Sequence, residues 1–328
     1  MTFALLFPGQ GCQYIGMCKQ LIEQYPVAAA IFEEANMTLG FDLRALILTG
    51  NLKTLTLSEN AQPAMVTASY ALFQVFCQQT ETMPACIAGH SLGELSALIA
   101  AGALPFAAGV LFARKRGQIM HRALQEKKGR AGIVVDLAYE VLTQLIAASN
   151  VDDYVAIAGY NSPQQVVVAG HPRALASLSD AVEQHGGDFI PFRMIPMKAD
   201  APYHTTLMTF LQPELEAALQ DICFEQPTMD VWSTVIGRII QPTDSIGDIL
   251  RDQLILPVAW TPVLEKMTCA GVDCFIDIGP QKIIRNLVRE NPNLPTSYAF
   301  DEPEDAQKIR DYFAGGLYDY SVKRYANV

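Results

Sequence analysis

The stretch that most constrains this chain runs from Ala85 to Leu95, Ala-Cys-Ile-Ala-Gly-His-Ser-Leu-Gly-Glu-Leu, with the apolar run Ser96–Ala101 behind it. It reads as a short buried strand, a serine between two glycines at a sharp turn, and a helix rich in alanine and leucine. That order is a nucleophile elbow, which lifts a serine hydroxyl to the top of an α/β sheet. The neighbours of such a serine must lack a Cβ if strand and helix are to pack closely around it, and Gly89 and Gly93 meet that need. The helix after Ser91 also aims unpaired N–H groups and its positive dipole end at the place where an oxyanion would form. The five letters Gly-His-Ser-Leu-Gly alone fit any tight turn; the apolar strand before them and the helix after them favour the elbow.

At 328 residues, half of them apolar, the chain can form one large domain or two associated units around a sizeable core. A formal charge of −11 argues against a general nucleic-acid binder. The seven cysteines are odd in number, scattered and without a C-x-x-C pair, so neither a disulfide framework nor a metal site is expected. The N-terminal apolar run Phe3–Phe7 is short and has no basic lead. Neither a signal peptide nor a membrane span is expected from it, and the cytoplasm is the expected location.

Phe3–Phe7, ended by Pro8-Gly9, reads as a buried strand of a parallel sheet. In the loop Gly9-Gln10-Gly11-Cys12-Gln13 the third glycine, Gly16, comes too late for a dinucleotide fingerprint. A plain turn, or a backbone N–H of Gln10 brought close to a reacting oxygen, both fit it. Helices are expected over 18–35 and 62–79, with Pro63 in a first turn, and over Phe106–Leu124, where Arg114, Lys115 and Arg122 read as a solvated face. From residue 129 to 194 the rhythm becomes β-α-β-β-α-β, with a turn at Asn161-Ser162-Pro163 and a last strand at Phe189–Met194. This is the pattern of a ferredoxin-like module inserted in the larger unit, its edge walling a cleft. The expected organisation is α/β: an α/β-hydrolase-like subdomain with a parallel sheet over 1–128 and 195–295, the inserted ferredoxin-like subdomain over 129–194, and a peripheral tail over 296–328.

A serine needs a base within hydrogen-bond reach, most often histidine. His90 adjoins Ser91 and should leave the elbow in another direction, His121 lies on a basic helix, and His171 and His185 flank the second helix of the insert. By elimination His204 is the better base. Asp136, Asp152, Asp153, Asp180, Asp188 and Asp200 lie between serine and histidine and none stands out as the orienting acid, so a backbone carbonyl could hold the imidazole instead.

Several pieces, in order, resemble the malonyl-CoA:acyl carrier protein transacylases and the acyltransferase components of polyketide synthases. They are Phe7–Gln13, Gly89-His90-Ser91-Leu92-Gly93-Glu94, Arg116-Gly117, Asn161-Ser162-Pro163, Ala201-Pro202-Tyr203-His204, Pro257-Val258-Ala259-Trp260 and Ile278-Gly279-Pro280. The resemblance implies a Ser91–His204 dyad whose histidine is held by the main-chain carbonyl of Gln253, and an oxyanion hole made by the N–H groups of Gln10 and Leu92. It puts Arg116 where the family binds the free carboxylate of the malonyl group, with Tyr203 and Asn161 beside the substrate. Leu92 and Tyr203 resemble malonyl-type selectivity, and the phrase Ala201–His204 is most like the discrete, trans-acting enzymes of polyketide synthesis.

Asp200 and Tyr203 depart from common family residues, and both are expected to bear on the pocket. The implied reaction takes malonyl-CoA as substrate, binds no cofactor, and has a phosphopantetheinylated acyl carrier protein as partner, with no role for nucleic acid or membrane. An acyl hydrolase clearing carrier proteins, a housekeeping enzyme of fatty-acid synthesis, and an idle carrier-binding module are the alternatives. Lys282, Arg285 and Arg289 share one helical face, and Lys127, Lys128 and Arg130 lie near the insert; either cluster could dock an acidic carrier or simply be solvated.

Overall fold

The computed structural model describes residues 2–149, 153–195 and 199–324, with the backbone alone over 314–324. Asp152 and residues 325–328 lie outside the described residues. Among the described residues ten strands form two sheets: β1 (Phe3–Phe7), β2 (Cys86–Gly89), β3 (Arg130–Val135), β4 (Val155–Ser162), β5 (Gln165–Gly170), β6 (Asp188–Pro191), β7 (Asp230–Ser233), β8 (Arg238–Ile239), β9 (Cys274–Asp277) and β10 (Thr296–Ala299). The larger sheet has the order β10-β9-β1-β2-β7-β8, parallel throughout except for the β7–β8 hairpin.

Every residue of β1 is buried, as a central parallel strand covered on both faces requires. Its alternate side chains enter different cores. Phe3, Leu5 and Phe7 pack with the helices Pro26–Leu39, Ser58–Thr80 and Phe106–Glu126, while Ala4 and Leu6 pack with Trp260, Val263 and Phe275 on the far side.

The smaller sheet is antiparallel, in the order β4-β5-β3-β6, and its chain order is the expected β-α-β-β-α-β. One face buries Val134, Val166 and Val168 beneath the helices Tyr139–Ser149 and Pro172–Gln184, which contribute Leu142 and Leu178 to the same core. The opposite face, carrying Ala131, Ile133, Ala158 and Val167, looks into the cleft. The insert therefore walls the cleft with a sheet face and not with the expected edge. β4 is tied to the larger unit where Tyr160 N–H donates to Val258 O at 2.9 Å and Val258 N–H to Ala158 O at 3.0 Å.

Several local expectations need correction. The helix expected over 18–35 is two helices, Lys19–Gln24 and Pro26–Leu39, because Tyr25 adopts an extended conformation ahead of Pro26. Pro63 lies inside the helix Ser58–Thr80, where it cannot donate to the Glu59 carbonyl. Arg114 supplies the missing donor, its Nη1 reaching Glu59 O at 2.7 Å while it also bonds Asn60 and lies over the Phe41 ring, so it is no solvated side chain. Asn161 and Ser162 belong to β4, and the turn is Pro163-Gln164. The last strand of the insert ends at Pro191 and gives way to a 3-10 turn over Phe192–Met194. Residues 296–309 of the expected tail are not peripheral: β10 pairs with β9, and Phe300, Ala306 and Ile309 enter the main core.

Candidate active site

β1 and β2 lie side by side with Phe7 opposite Gly89, so the loops leaving their C-terminal ends emerge together. Ligands of open parallel sheets bind at this end of the strands. A Cβ on Gly89 would stand 2.0 Å from the Gly93 carbonyl carbon, and one on Gly93 2.1 Å from Phe7 O. The crossing of strand and helix thus tolerates only glycine at these two positions. Ser91 itself has φ 51°, in the left-handed region that non-glycine residues rarely occupy.

His204 shares that feature, at φ 62°, with its N–H held by Leu254 O at 3.0 Å. Its Nδ1 faces Gln253 O at 2.7 Å and its Nε2 faces Ser91 Oγ at 2.8 Å. A carbonyl can only accept, so Nδ1 carries the proton and Nε2 presents its lone pair to the serine hydroxyl. Burial, and after it the positive charge of Arg116, pushes the imidazole pKa down to about 3, keeping the ring neutral. No described carboxylate contacts His204: Asp153 pairs with His171, and Asp200 accepts from the Ala131 N–H at 3.1 Å and lies against Arg130. Asp200 therefore pins the segment before His204 to β3 and does not line the cavity, contrary to expectation.

The cavity in front of Ser91 has a volume of about 210 Å³, and Gln10, Leu92, Arg116, Asn161, Tyr203 and His204 all line it. The N–H groups of Gln10 and Leu92 have no acceptor among the described residues. Arg116 is 3 % exposed, with Nη1 donating to Gln62 Oε1 at 2.8 Å and Nη2 to Gln253 Oε1 at 2.9 Å. Burial lowers its pKa to about 10, which leaves it charged at neutral pH. Tyr203 donates its hydroxyl to Met120 O at 2.9 Å, and burial raises its pKa, so it remains a neutral phenol. Asn161 accepts from His90 Nε2 at 2.8 Å and donates to Gln165 at 3.0 Å, while the His90 ring meets Trp260 edge-on.

All eight residues singled out in the sequence thus converge, with Gln253 reaching His204 from behind. Sequence reasoning missed what links them. Gln62 donates to Gln10 Oε1 at 3.3 Å, and the Gln253 side chain joins Arg116 to Ser91 O and to the buried carboxyl of Glu94. Glu94 closes the hexapeptide around Ser91, so a signal existed; nothing local distinguishes Gln62. The basic helix face fares differently. Lys282 immediately precedes the helix Ile283–Arg289 and pairs with Glu302 at 2.9 Å, Arg285 pairs with Asp305 at 2.7 Å, and Arg289 donates to Ser297 O at 2.8 Å. These cations bind the chain's own C-terminal segment.

A strained serine at an elbow, a neutral histidine on its hydroxyl and two N–H groups at the same corner define an acyl-transfer site on an α/β sheet. Residues 4–293 match the acyl transferase domain family, and the chain belongs to it. It is 36 % identical over 301 residues to the malonyl CoA-acyl carrier protein transacylase of Escherichia coli strain K12, covering 92 % of this chain and 96 % of that one. The enzyme of the same description from Bacillus subtilis strain 168 is 35 % identical over 302 residues, covering 92 % and 94 %. Among solved structures, a complex described as a type II PKS acyl-carrier protein with its malonyl-transacylase matches with a TM-score of 0.89 and 31 % identity, covering 95 % of this chain and 100 % of that one.

Among the described residues no helix is long and apolar enough to cross a membrane.

Proposed function

We propose that this protein moves a malonyl group from malonyl-CoA to the phosphopantetheine thiol of an acyl carrier protein. The observation that carries the reading is Arg116, a buried guanidinium fork in the same cavity as the Ser91–His204 pair. Nη1 and Nη2 each donate once to an amide oxygen, and the remaining N–H groups of the fork are left for a carboxylate, which a guanidinium binds in bidentate fashion. An acyl group without a terminal carboxylate would leave this buried charge unanswered.

In the proposed mechanism His204 Nε2 takes the hydroxyl proton as Ser91 Oγ attacks the thioester carbonyl, and the N–H groups of Gln10 and Leu92 bind the oxyanion. Collapse of the tetrahedral intermediate breaks the C–S bond, and the proton on Nε2 passes to the departing coenzyme A sulfur. The carrier thiol then repeats the steps against malonyl-Ser91, with His204 accepting its proton and returning it to Oγ. Every step uses this protein's own groups, and malonyl-CoA enters as substrate. Tyr203 and Leu92 narrow the space beside the acyl carbon, and Asn161 with His90 fixes the wall under the thioester.

A fatty-acid carrier and a polyketide carrier both fit, since the relatives named above include a type II PKS complex beside two bacterial transacylases. A cytoplasmic location belongs to the same reading. So does the division into a catalytic unit over 1–128 and from 195 onward, now extended past 295 to take in β10, and an inserted unit over 129–194, which the two separate sheets support. The test is to mix the protein with malonyl-CoA and a phosphopantetheinylated carrier protein and to measure malonyl-carrier against free malonate. Malonyl-carrier should dominate; malonate as the main product would replace transfer with the hydrolase reading.

A further inference from the structure

Beneath the elbow lies a carboxyl group with no part in those steps. Glu94, in the first turn of the helix Gly93–Ala100, is fully buried. Its Oε2 accepts from Gln253 Nε2 at 3.0 Å and from Thr234 Oγ1 at 3.0 Å. The same Gln253 Nε2 donates to Ser91 O at 3.0 Å, and Gln253 Oε1 accepts from Arg116 Nη2 at 2.9 Å. One amide therefore joins the elbow to the cation, while its own main-chain carbonyl holds His204.

This amide can serve Arg116 in only one orientation. Turned over, its NH₂ would face a guanidinium that has no acceptor, and its oxygen would face two acceptors, Glu94 Oε2 and Ser91 O. The acceptor pair thus dictates which end of Gln253 meets Arg116. Gln62 holds the other amino group of Arg116, its Oε1 accepting from Nη1 at 2.8 Å while its Nε2 donates to Gln10 Oε1 and the Met120 sulfur.

We propose that Glu94 is a positioning residue: acting through the Gln253 amide, it aims the Arg116 guanidinium into the acyl cavity and so sets the preference for malonyl over acetyl groups. This rests on the role given to Arg116 above. Burial lifts the Glu94 carboxyl to about 7, yet either protonation state leaves an oxygen that accepts from Gln253. The role is one of hydrogen-bond geometry, and an amide should preserve it.

The test compares kcat and KM for malonyl-CoA and acetyl-CoA. In Glu94→Met the malonyl:acetyl ratio of kcat/KM should fall about tenfold, mainly through KM for malonyl-CoA, as expected for losing a hydrogen bond that fixes a charged group. Glu94→Gln should restore the ratio to within about twofold of the parent. Gln253→Met keeps Glu94 and the His204 carbonyl contact and should lower the ratio as Glu94→Met does, which provides the test should Glu94→Met not fold. In an Arg116→Ala background neither change should move the ratio further. A carboxylate that merely complements the helix dipole would shift the unfolding midpoint and leave the ratio alone. If the parent forms malonyl-enzyme and Gln253→Met or Glu94→Met keeps the parental ratio, the positioning role is overturned; a parent that forms no malonyl-enzyme overturns the function proposed above and this role with it.

Discussion

Replacing Arg116 with alanine perturbs two properties at once, and the structure supplies the size of each. The guanidinium sits 3 % exposed between the Gln62 and Gln253 amides, so a malonyl carboxylate that enters the cavity gives up its water and meets a desolvated partner. Removing one member of a buried charge pair costs about 2–5 kcal/mol, because the other is left uncompensated. Taking about 3 kcal/mol, kcat/KM for malonyl-CoA should fall on the order of 10²-fold, while acetyl-CoA, with no carboxylate, loses far less. Arg116→Lys should fall between the two, since a point charge reaches one amide where the fork reaches both. The second property is the base. Arg116 is the largest influence after burial holding the His204 pKa down to about 3. With the positive charge gone the imidazolium is less disfavoured and the pKa rises, so acetyl transfer by Arg116→Ala should lose more activity between pH 7 and pH 5 than the parent does. Steady-state kinetics with both thioesters across that pH range reads both effects. A malonyl:acetyl ratio unchanged by Arg116→Ala would refute the assignment of this arginine.

Gly93→Ala sets a methyl group 2.1 Å from Phe7 O, which neither backbone can avoid, and should cost about 3 kcal/mol or more, read as a lower urea midpoint; an unchanged midpoint would contradict the close crossing. Arg114→Leu leaves the Glu59 carbonyl under Pro63 without its donor and should destabilise the protein by about 1–3 kcal/mol with kinetics unchanged, an outcome that chemical denaturation and activity together can check. His204 is held neutral in the folded protein, whereas in the unfolded chain it takes a proton below its ordinary value. The folded state should therefore lose stability as pH falls from about 6.5 toward 3, and His204→Gln should flatten that part of the stability profile.

The elbow was legible because its constraint is local: two missing Cβ atoms and a strand-to-helix turn lie within five residues. The insert was legible for a related reason, since alternating and helical rhythms succeed one another without interruption from Arg130 to Pro191. What escaped depends on partners far along the chain. β10 is a short, half-polar strand made by pairing with β9, and nothing in Thr296–Ala299 announces that neighbour. Lys282, Arg285 and Arg289 have the spacing of one helical face, but the acids at Glu302 and Asp305 that pair with all three could not be foreseen from that spacing. Arg114 looked solvated because its partner is a carbonyl freed by Pro63, fifty-odd residues away on another helix. In the site, residue types that bear chemistry could be picked out, whereas the amides of Gln62 and Gln253 that hold them have no pattern of their own.

The measurement that bears most directly on the acyl-transfer assignment is the intact mass of the protein after brief exposure to malonyl-CoA, followed by mapping of the modified peptide. We expect the mass to rise by one malonyl group, the modification to map to Ser91, and both to be absent in Ser91→Ala. An unmodified parent, or an adduct that persists in Ser91→Ala, would contradict it.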